Sequence, residues 1–121
     1  MLLITSNKPK RLLHISYIGR AQPEDFQRSQ KDLTTQLQEL SPGFHLLADF
    51  SQLESMDLDC EPELGRMMEL IGQAGVDLVV RVIPDPSKDI GMNILTVFHY
   101  PHRPRVVTCR NLMEAARALG L

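Results

Sequence analysis

Asp57, Asp59, Glu61 and Glu63 stand at every second position, with Glu54 just upstream and Cys60 in their midst. Carboxylates in this density can hold a divalent cation or meet a basic partner. The calcium-loop pattern is not satisfied: the sixth position counted from Asp57 holds no glycine, and Met68 occupies the twelfth, where a glutamate is needed. Acids also crowd helix N-termini because the helix dipole favours them, by about 0.3–1 kcal/mol each. Cys60, at the expected start of a helix, could be a nucleophile, since a dipole lowers a thiol pKa. The neighbouring carboxylates oppose this by disfavouring a thiolate, and no Lys, Arg or His lies close in sequence. Cys60 is therefore expected to be an inert thiol.

His99-Tyr100-Pro101-His102 places two imidazoles three apart. Zinc needs further ligands, which Cys109 or Asp85 could supply only through the fold. Histidines near a helix end more commonly cap carbonyls. Arg103 and Arg105 form a basic patch too small for nucleic acid. A second constellation lies at the expected carboxyl ends of the strands, where open α/β sheets bind ligands. It comprises Asp49, Ser51, Asp85 and Thr108, with Cys60 or His99 as reactive group. No arrangement here makes a catalytic set or a metal site, and no cofactor is expected.

The elements that must position these residues follow from hydrophobic period and punctuation. Leu2-Leu3-Ile4-Thr5 and Leu12-Leu13-His14-Ile15-Ser16-Tyr17-Ile18 are strands about a polar turn containing Asn7 and Pro9, with Gly19 ending the second. Pro23, Glu24 and Asp25 open a helix whose apolar stripe is Phe26, Leu33, Leu37 and Leu40, stopped by Ser41-Pro42-Gly43. Phe44-His45-Leu46-Leu47-Ala48 reads as a buried strand ending at Asp49, followed by a loop dense in carboxylates. Asp59 or Cys60 then caps a second helix with Leu64, Met67, Met68, Ile71 and Ala74 inward and Gly75 as its stop. The methionines of that stripe are core, whereas Met56 and Met92 lie off the clearest stripes.

Asp77-Leu78-Val79-Val80-Arg81-Val82-Ile83 reads as a central strand closed by Pro84. Asp85 or Ser87 caps a third helix carrying Ile90, Ile94, Val97 and Phe98, and Arg105-Val106-Val107-Thr108 forms a last strand. Asn111 and Glu114 suggest a capping box for a final helix with stripe Leu112, Ala115, Ala116 and Leu119 before Gly120. The order ββαβαβαβα predicts an α/β fold: a mixed, mostly parallel sheet of four to five strands flanked by about four helices. An N-terminal hairpin supplies its antiparallel strand, and Ala48, Val80 and Val107 lie on interior strands.

The 121 residues suit one domain spanning 1–121, and a hydrophobic fraction of 43% with 23% charged residues is that of a globular protein. A formal net charge of −2 gives no pull toward nucleic acid or anionic membrane. The two cysteines cannot make a disulfide framework, which suggests reduced thiols in a cytoplasmic protein. The opening Leu2-Leu3-Ile4 is too short for a signal-peptide core, and no run approaches a membrane span.

This order, together with Leu47-Ala48-Asp49-Phe50-Ser51 through Met56-Asp57 to Leu64-Gly65, resembles the STAS domain of bacterial anti-sigma-factor antagonists and sulfate transporters. The resemblance is strongest to the stand-alone, sporulation-antagonist-like branch. Asp57 matches the acid of the family's Asp-Ser-Ser/Thr-Gly motif at the start of the second helix. Leu58 stands where the family carries its phosphorylated hydroxyl, so the resemblance implies the fold without that switch, with Ser51 and Ser55 as the hydroxyls left nearby. It implies a regulatory domain that binds another protein rather than an enzyme. The expected surface is residues 54–63 (Glu54, Asp57, Asp59, Glu61, Glu63), suited to a basic-faced partner. The strand-end site is the first alternative, and a structural domain that self-associates, as in a homodimer, is the second.

Overall fold

The computed structural model describes residues 1–83 and 104–121. The two N-terminal apolar runs pair as an antiparallel hairpin, β1 (Leu2–Asn7) with β2 (Leu12–Ala21), in the register Leu2↔Tyr17 through Asn7↔Leu12. The turn between them places Arg11 at φ +53°, and Asn7 Oδ1 accepts from Lys10 N at 3.1 Å. Each later strand joins in parallel: β3 (His45–Met56) on β2, β4 (Leu78–Val82) on β3, and β5 (Arg105–Cys109) on β4. Among the described residues the result is one five-stranded mixed sheet in the order β1-β2-β3-β4-β5. β4 is interior, as its β-branched run predicts. β5 lies at the sheet's edge among the described residues, with Val107 37% exposed, which corrects its expected interior place.

Three helices are described: α1 (Pro23–Glu39), α2 (Cys60–Gln73) and α3 (Leu112–Leu119). The further helix expected over Ile90, Ile94, Val97 and Phe98, with its cap at Asp85 or Ser87, lies outside the described residues. α1 buries Phe26, Leu33 and Leu37, and α2 buries Leu64, Met67, Met68 and Ile71. These side chains join Leu13, Ile15, Tyr17, Leu46, Ala48 and Phe50 in the larger core, on one face of the sheet. Tyr17 ties four elements together: its ring stacks on Phe50 at 4.3 Å, sits 6.2 Å from Phe26, and its hydroxyl donates to Met67 Sδ at 3.6 Å. α2 stops where Gly75 adopts φ +95°, a conformation that side chains resist; a Cβ there would also meet Pro42 at 2.9 Å.

The opposite face carries a smaller core of Leu47, Leu78, Val80, Val82 and Cys109 under Ala115 of α3, with Ala118 and Leu119 alongside. Leu112, expected on the inward stripe, is 49% exposed: the short helix leans on the sheet through its later turn. At its start Asn111 Oδ1 accepts from Glu114 N at 2.9 Å, as a cap should. Glu114 reaches back one residue further than a capping box requires and accepts from Arg110 N at 2.9 Å. At the other end of the sheet the β1 edge is guarded. Gln36 of α1, itself bonded to Asp32, donates Nε2 to Ile4 O at 2.8 Å and occupies a carbonyl of the edge strand.

Candidate functional site

The site grows out of a strand longer than its sequence suggests. β3 does not end at Asp49 but runs on to Met56, so the expected acidic loop shrinks to a turn over residues 57–59. Pairing with β4 stops at Asp49↔Val82, and among the described residues the rest of β3 pairs with β2 only. Along that stretch β3 carries two irregularities. Phe50 and Ser51 stand against the single residue Tyr17, and Glu54 is extra between the pairs Gly19↔Leu53 and Arg20↔Ser55. The first is fixed by Asp49, a buried carboxylate 5% exposed, whose Oδ1 accepts from Ser51 N at 2.9 Å. At the second, Gly19 adopts φ +69° and lets β2 continue to Ala21 instead of ending there. Bulges redirect a strand and increase its twist. Here they carry the β2–β3 pair past the end of β4.

At the tip the chain turns sharply into α2. Asp57 N donates to Ala21 O at 3.1 Å, Cys60 N to Asp57 O at 2.9 Å, and Glu61 N to Leu58 O at 3.2 Å. Arg20, the penultimate residue of β2, grips Asp57 at two points, Nε to Oδ1 at 3.1 Å and Nη2 to Oδ2 at 3.3 Å. The hydrogen bond and the charge of Asp57 raise the Arg20 pKa further above its ordinary value. Asp59 occupies the cap position of α2 in helical geometry (φ −65°, ψ −13°), and its side chain makes no capping bond. It is a cap by place alone, which corrects the expected role. Glu63 pairs with Arg66 one turn along at 3.2 Å. Glu54, Asp59 and Glu61 are exposed and make no ion pair among the described residues. The carboxylates thus stand on the end of β3, the turn and the first turn of α2 rather than along an extended loop.

Cys60 lies behind this turn, fully buried, with Sγ donating to Ala21 O at 3.4 Å. Burial pushes its pKa up to about 11, and the charge of Asp57 adds to the effect. Of the described members of the strand-end constellation, Asp49 and Thr108 do not converge. Asp49 falls in the cross-strand row Ser16–Asp49–Val82–Cys109, whereas Thr108 falls in the next row with Ala48 and Arg81. Adjacent rows point to opposite faces of a sheet. Asp49 therefore faces the α3 layer, while Thr108, exposed, accepts from Arg81 Nε at 2.7 Å on the other side. Asp85, His99 and His102 lie outside the described residues. A dimple between α1 and α2, lined in part by Phe26, Leu33, Met67 and Leu70, has room for about 20 Å³, enough for a water but not for a metabolite. No group of three His, Cys, Asp or Glu residues among the described residues could hold a metal ion.

Arg20 and Arg66 pair with two of these carboxylates and are not among the residues singled out from the sequence. Arg66 is legible from its spacing to Glu63. Arg20 is not, because only the register of β2 against β3 brings it to Asp57.

A hairpin followed by parallel strands, with α1 and α2 on one face and α3 on the other, is a SpoIIAA-like fold. An uncharacterised DUF3478-family protein with a SpoIIAA-like fold from Shewanella loihica matches with a TM-score of 0.69 at 15% identity, over 98% of this chain and 92% of that one. The anti-sigma factor antagonist SpoIIAA in its unphosphorylated form matches at 0.62 with 18% identity, over 100% of both chains. The Bacillus cell fate determinant SpoIIAA in its phosphorylated form matches at 0.61 with 12% identity, over 98% and 99%. No family model matches the sequence, and no curated protein does. At these identities the likeness is one of fold. No helix among the described residues is long and apolar enough to cross a membrane.

Proposed function

We propose that this chain is a regulatory domain that works in the cytoplasm by binding another protein, without a phosphoserine switch at the position of Leu58. Its docking surface is the β3–α2 turn with the first turn of α2: Glu54, Asp57, Asp59, Glu61 and Glu63. The observation that carries this reading is that Glu54, on the last stretch of β3, and Asp59 and Glu61, at the start of α2, are exposed carboxylates with no ion pair among the described residues. The anti-sigma factor antagonist fold supports a protein-binding role. Two free cysteines, both buried, suit a reducing compartment.

A negative patch of this kind steers a partner with a Lys/Arg-rich face, at an association rate that falls as salt rises. The test is capture of partners from a lysate of the expressing cells by the wild type and by the double variant Asp59→Asn, Glu61→Gln. Neutralisation is expected to weaken capture about tenfold or more at low salt, with the thermal midpoint little changed. Undiminished capture of every partner would overturn docking through this surface.

A further inference from the structure

We propose that Gln36 guards an association edge. It keeps β1 from pairing with the β1 of a second copy of this chain, and its release joins two copies through one continuous sheet. Among the described residues β1 is an end strand of the sheet. Such an edge is a template for another strand, and proteins blunt it with charges, proline or a bulge. β1 carries none of these. Leu2-Leu3-Ile4-Thr5-Ser6-Asn7 is uncharged and lacks proline, and its pairing with β2 runs without a register shift. Leu3 is half exposed on the face away from the larger core.

The ladder fixes which backbone groups lie open. Met1 and Ile18 exchange both bonds: Met1 N donates to Ile18 O at 3.0 Å, and Ile18 N to Met1 O at 2.9 Å. Bonded and non-bonded positions alternate along an antiparallel pair. Leu3, Thr5 and Asn7 therefore bond to β2, while the N–H and C=O groups of Leu2, Ile4 and Ser6 point away from the sheet. A second β1 lying antiparallel with Ile4 opposite Ile4 would match Leu2 to Ser6 and Ser6 to Leu2. The strand is self-complementary about Ile4, as a two-fold contact requires. This self-match is what names a second copy as the excluded strand.

Gln36 stands on that centre. Its Nε2 donates to Ile4 O at 2.8 Å and to Asp32 Oδ1, one turn back on α1, at 3.0 Å. Both amide hydrogens are thereby used. The Asp32 carboxylate only accepts, so it holds the Gln36 amide with its nitrogen rather than its oxygen toward the strand. The bond occupies the middle one of the three open positions and sets a side chain where the backbone of a second strand would lie. Without its central pair that strand cannot close the ladder. A helix thus supplies the protection that the sequence of β1 lacks.

The test follows sedimentation velocity over a concentration series, with amide hydrogen exchange to locate the contact. It uses the purified full chain as wild type, Gln36→Met, Asp32→Ala, and the double variant Gln36→Met, Ser6→Pro. Gln36→Met keeps the stem and removes the donors, whereas Asp32→Ala leaves Gln36 in place without its brace. The wild type is expected to stay monomeric. Gln36→Met should raise the association constant about tenfold or more and slow exchange at the Ile4 and Ser6 amides as the dimer forms. Asp32→Ala should shift both readouts the same way by less. Ser6→Pro removes an open N–H without touching the β1–β2 ladder, and should return Gln36→Met to a monomer.

A Gln36→Met protein that sediments like the wild type at every concentration would overturn the guard. So would a wild type that already dimerises with the Ile4 and Ser6 amides protected, since the edge would then pair despite the side chain. Association of Gln36→Met without added protection at those amides would place the contact elsewhere and overturn the β1 edge. A dimer that persists in the double variant would do the same. If Gln36→Met fails to fold, Asp32→Ala decides. Asp32 is exposed and its replacement leaves the strand intact, so no rise in its association constant would overturn the guard. None of these readouts involves the acidic surface, and the docking reading stands or falls separately.

Discussion

Arg20 and Asp57 meet guanidinium to carboxylate at two points, 3.1 and 3.3 Å, and so fasten the end of β2 to the turn that starts α2. Both side chains are open to water, Arg20 the more so, and water and salt screen such a pair. Its role is geometric: it holds Asp57 where Asp57 O can accept from Cys60 N. Arg20→Ala should therefore leave the urea unfolding midpoint almost unchanged while hydrogen exchange at the Asp57 and Cys60 amides accelerates. Unchanged exchange at both would show that the backbone bonds hold the turn unaided.

Cys60 should resist alkylation. A thiol pKa of about 11 leaves on the order of one thiolate in ten thousand at pH 7, and Cys60 is fully buried as well. Iodoacetamide labelling followed against pH should show no plateau below about pH 9 in the folded protein. Asp57→Asn removes the second cause of the shift and should move the labelling profile toward lower pH, though burial keeps it above that of a free cysteine. A labelling midpoint near 7 would refute the inert-thiol assignment.

β3 runs past Asp49 for reasons that its hydrophobic pattern does not carry. Helix stripes were legible because Phe26, Leu33 and Leu37, or Leu64, Met67, Met68 and Ile71, recur at helical spacing and are buried. The core of β3 was legible as an apolar run. Beyond Asp49, however, the inward residues are Phe50, Leu53 and Met56, every third position, because each bulge inserts one residue into the strand. That period matches neither strand nor helix, so the segment read as a loop. The bulges depend on a side-chain bond from Asp49 and a positive φ at Gly19, neither of which a hydrophobic pattern records. The carboxylates of the site were visible in the sequence. The turn that gathers them, and the cation that fixes it, required the β2–β3 register.

Stability should depend on pH through the start of α3. Glu114 accepts from the backbone N–H of Arg110, and that bond, helped by the Arg110 and Arg117 charges, holds its carboxyl below the ordinary glutamate value. A depressed folded-state pKa contributes stability that is complete above the unfolded value, about 4.3, and is lost as pH falls through the folded value. Glu114→Gln should therefore lower Tm at pH 7, and the difference from wild type should shrink in acid as the carboxyl protonates. Asn111→Ala removes the bond to Glu114 N and should cost about 0.5–2 kcal/mol at either pH. A Glu114→Gln penalty that persisted undiminished in acid would assign the effect to shape rather than charge.

Phosphorylation should not switch this surface at the position of Leu58, which has no hydroxyl to accept a phosphate. Ser51 and Ser55 are the nearby exposed hydroxyls on β3. Both belong to a strand paired with β2, with Ser51 N tied to Asp49 and Ser55 opposite Arg20 in register, so neither sits in a free loop. Kinase access at either would require peeling β3 from β2 and exposing Phe50 and Leu53 of the core. Incubation with ATP and lysate, followed by mass spectrometry, should find no stoichiometric phosphate on either serine. Ser55 is the informative exception. A phosphate there would carry about −1.5 to −2 charges beside Arg20, compete with Asp57 for the guanidinium and release the turn. Stoichiometric modification at Ser55, reversed in its effect on partner binding by Arg20→Gln, would show that a switch operates here from the strand.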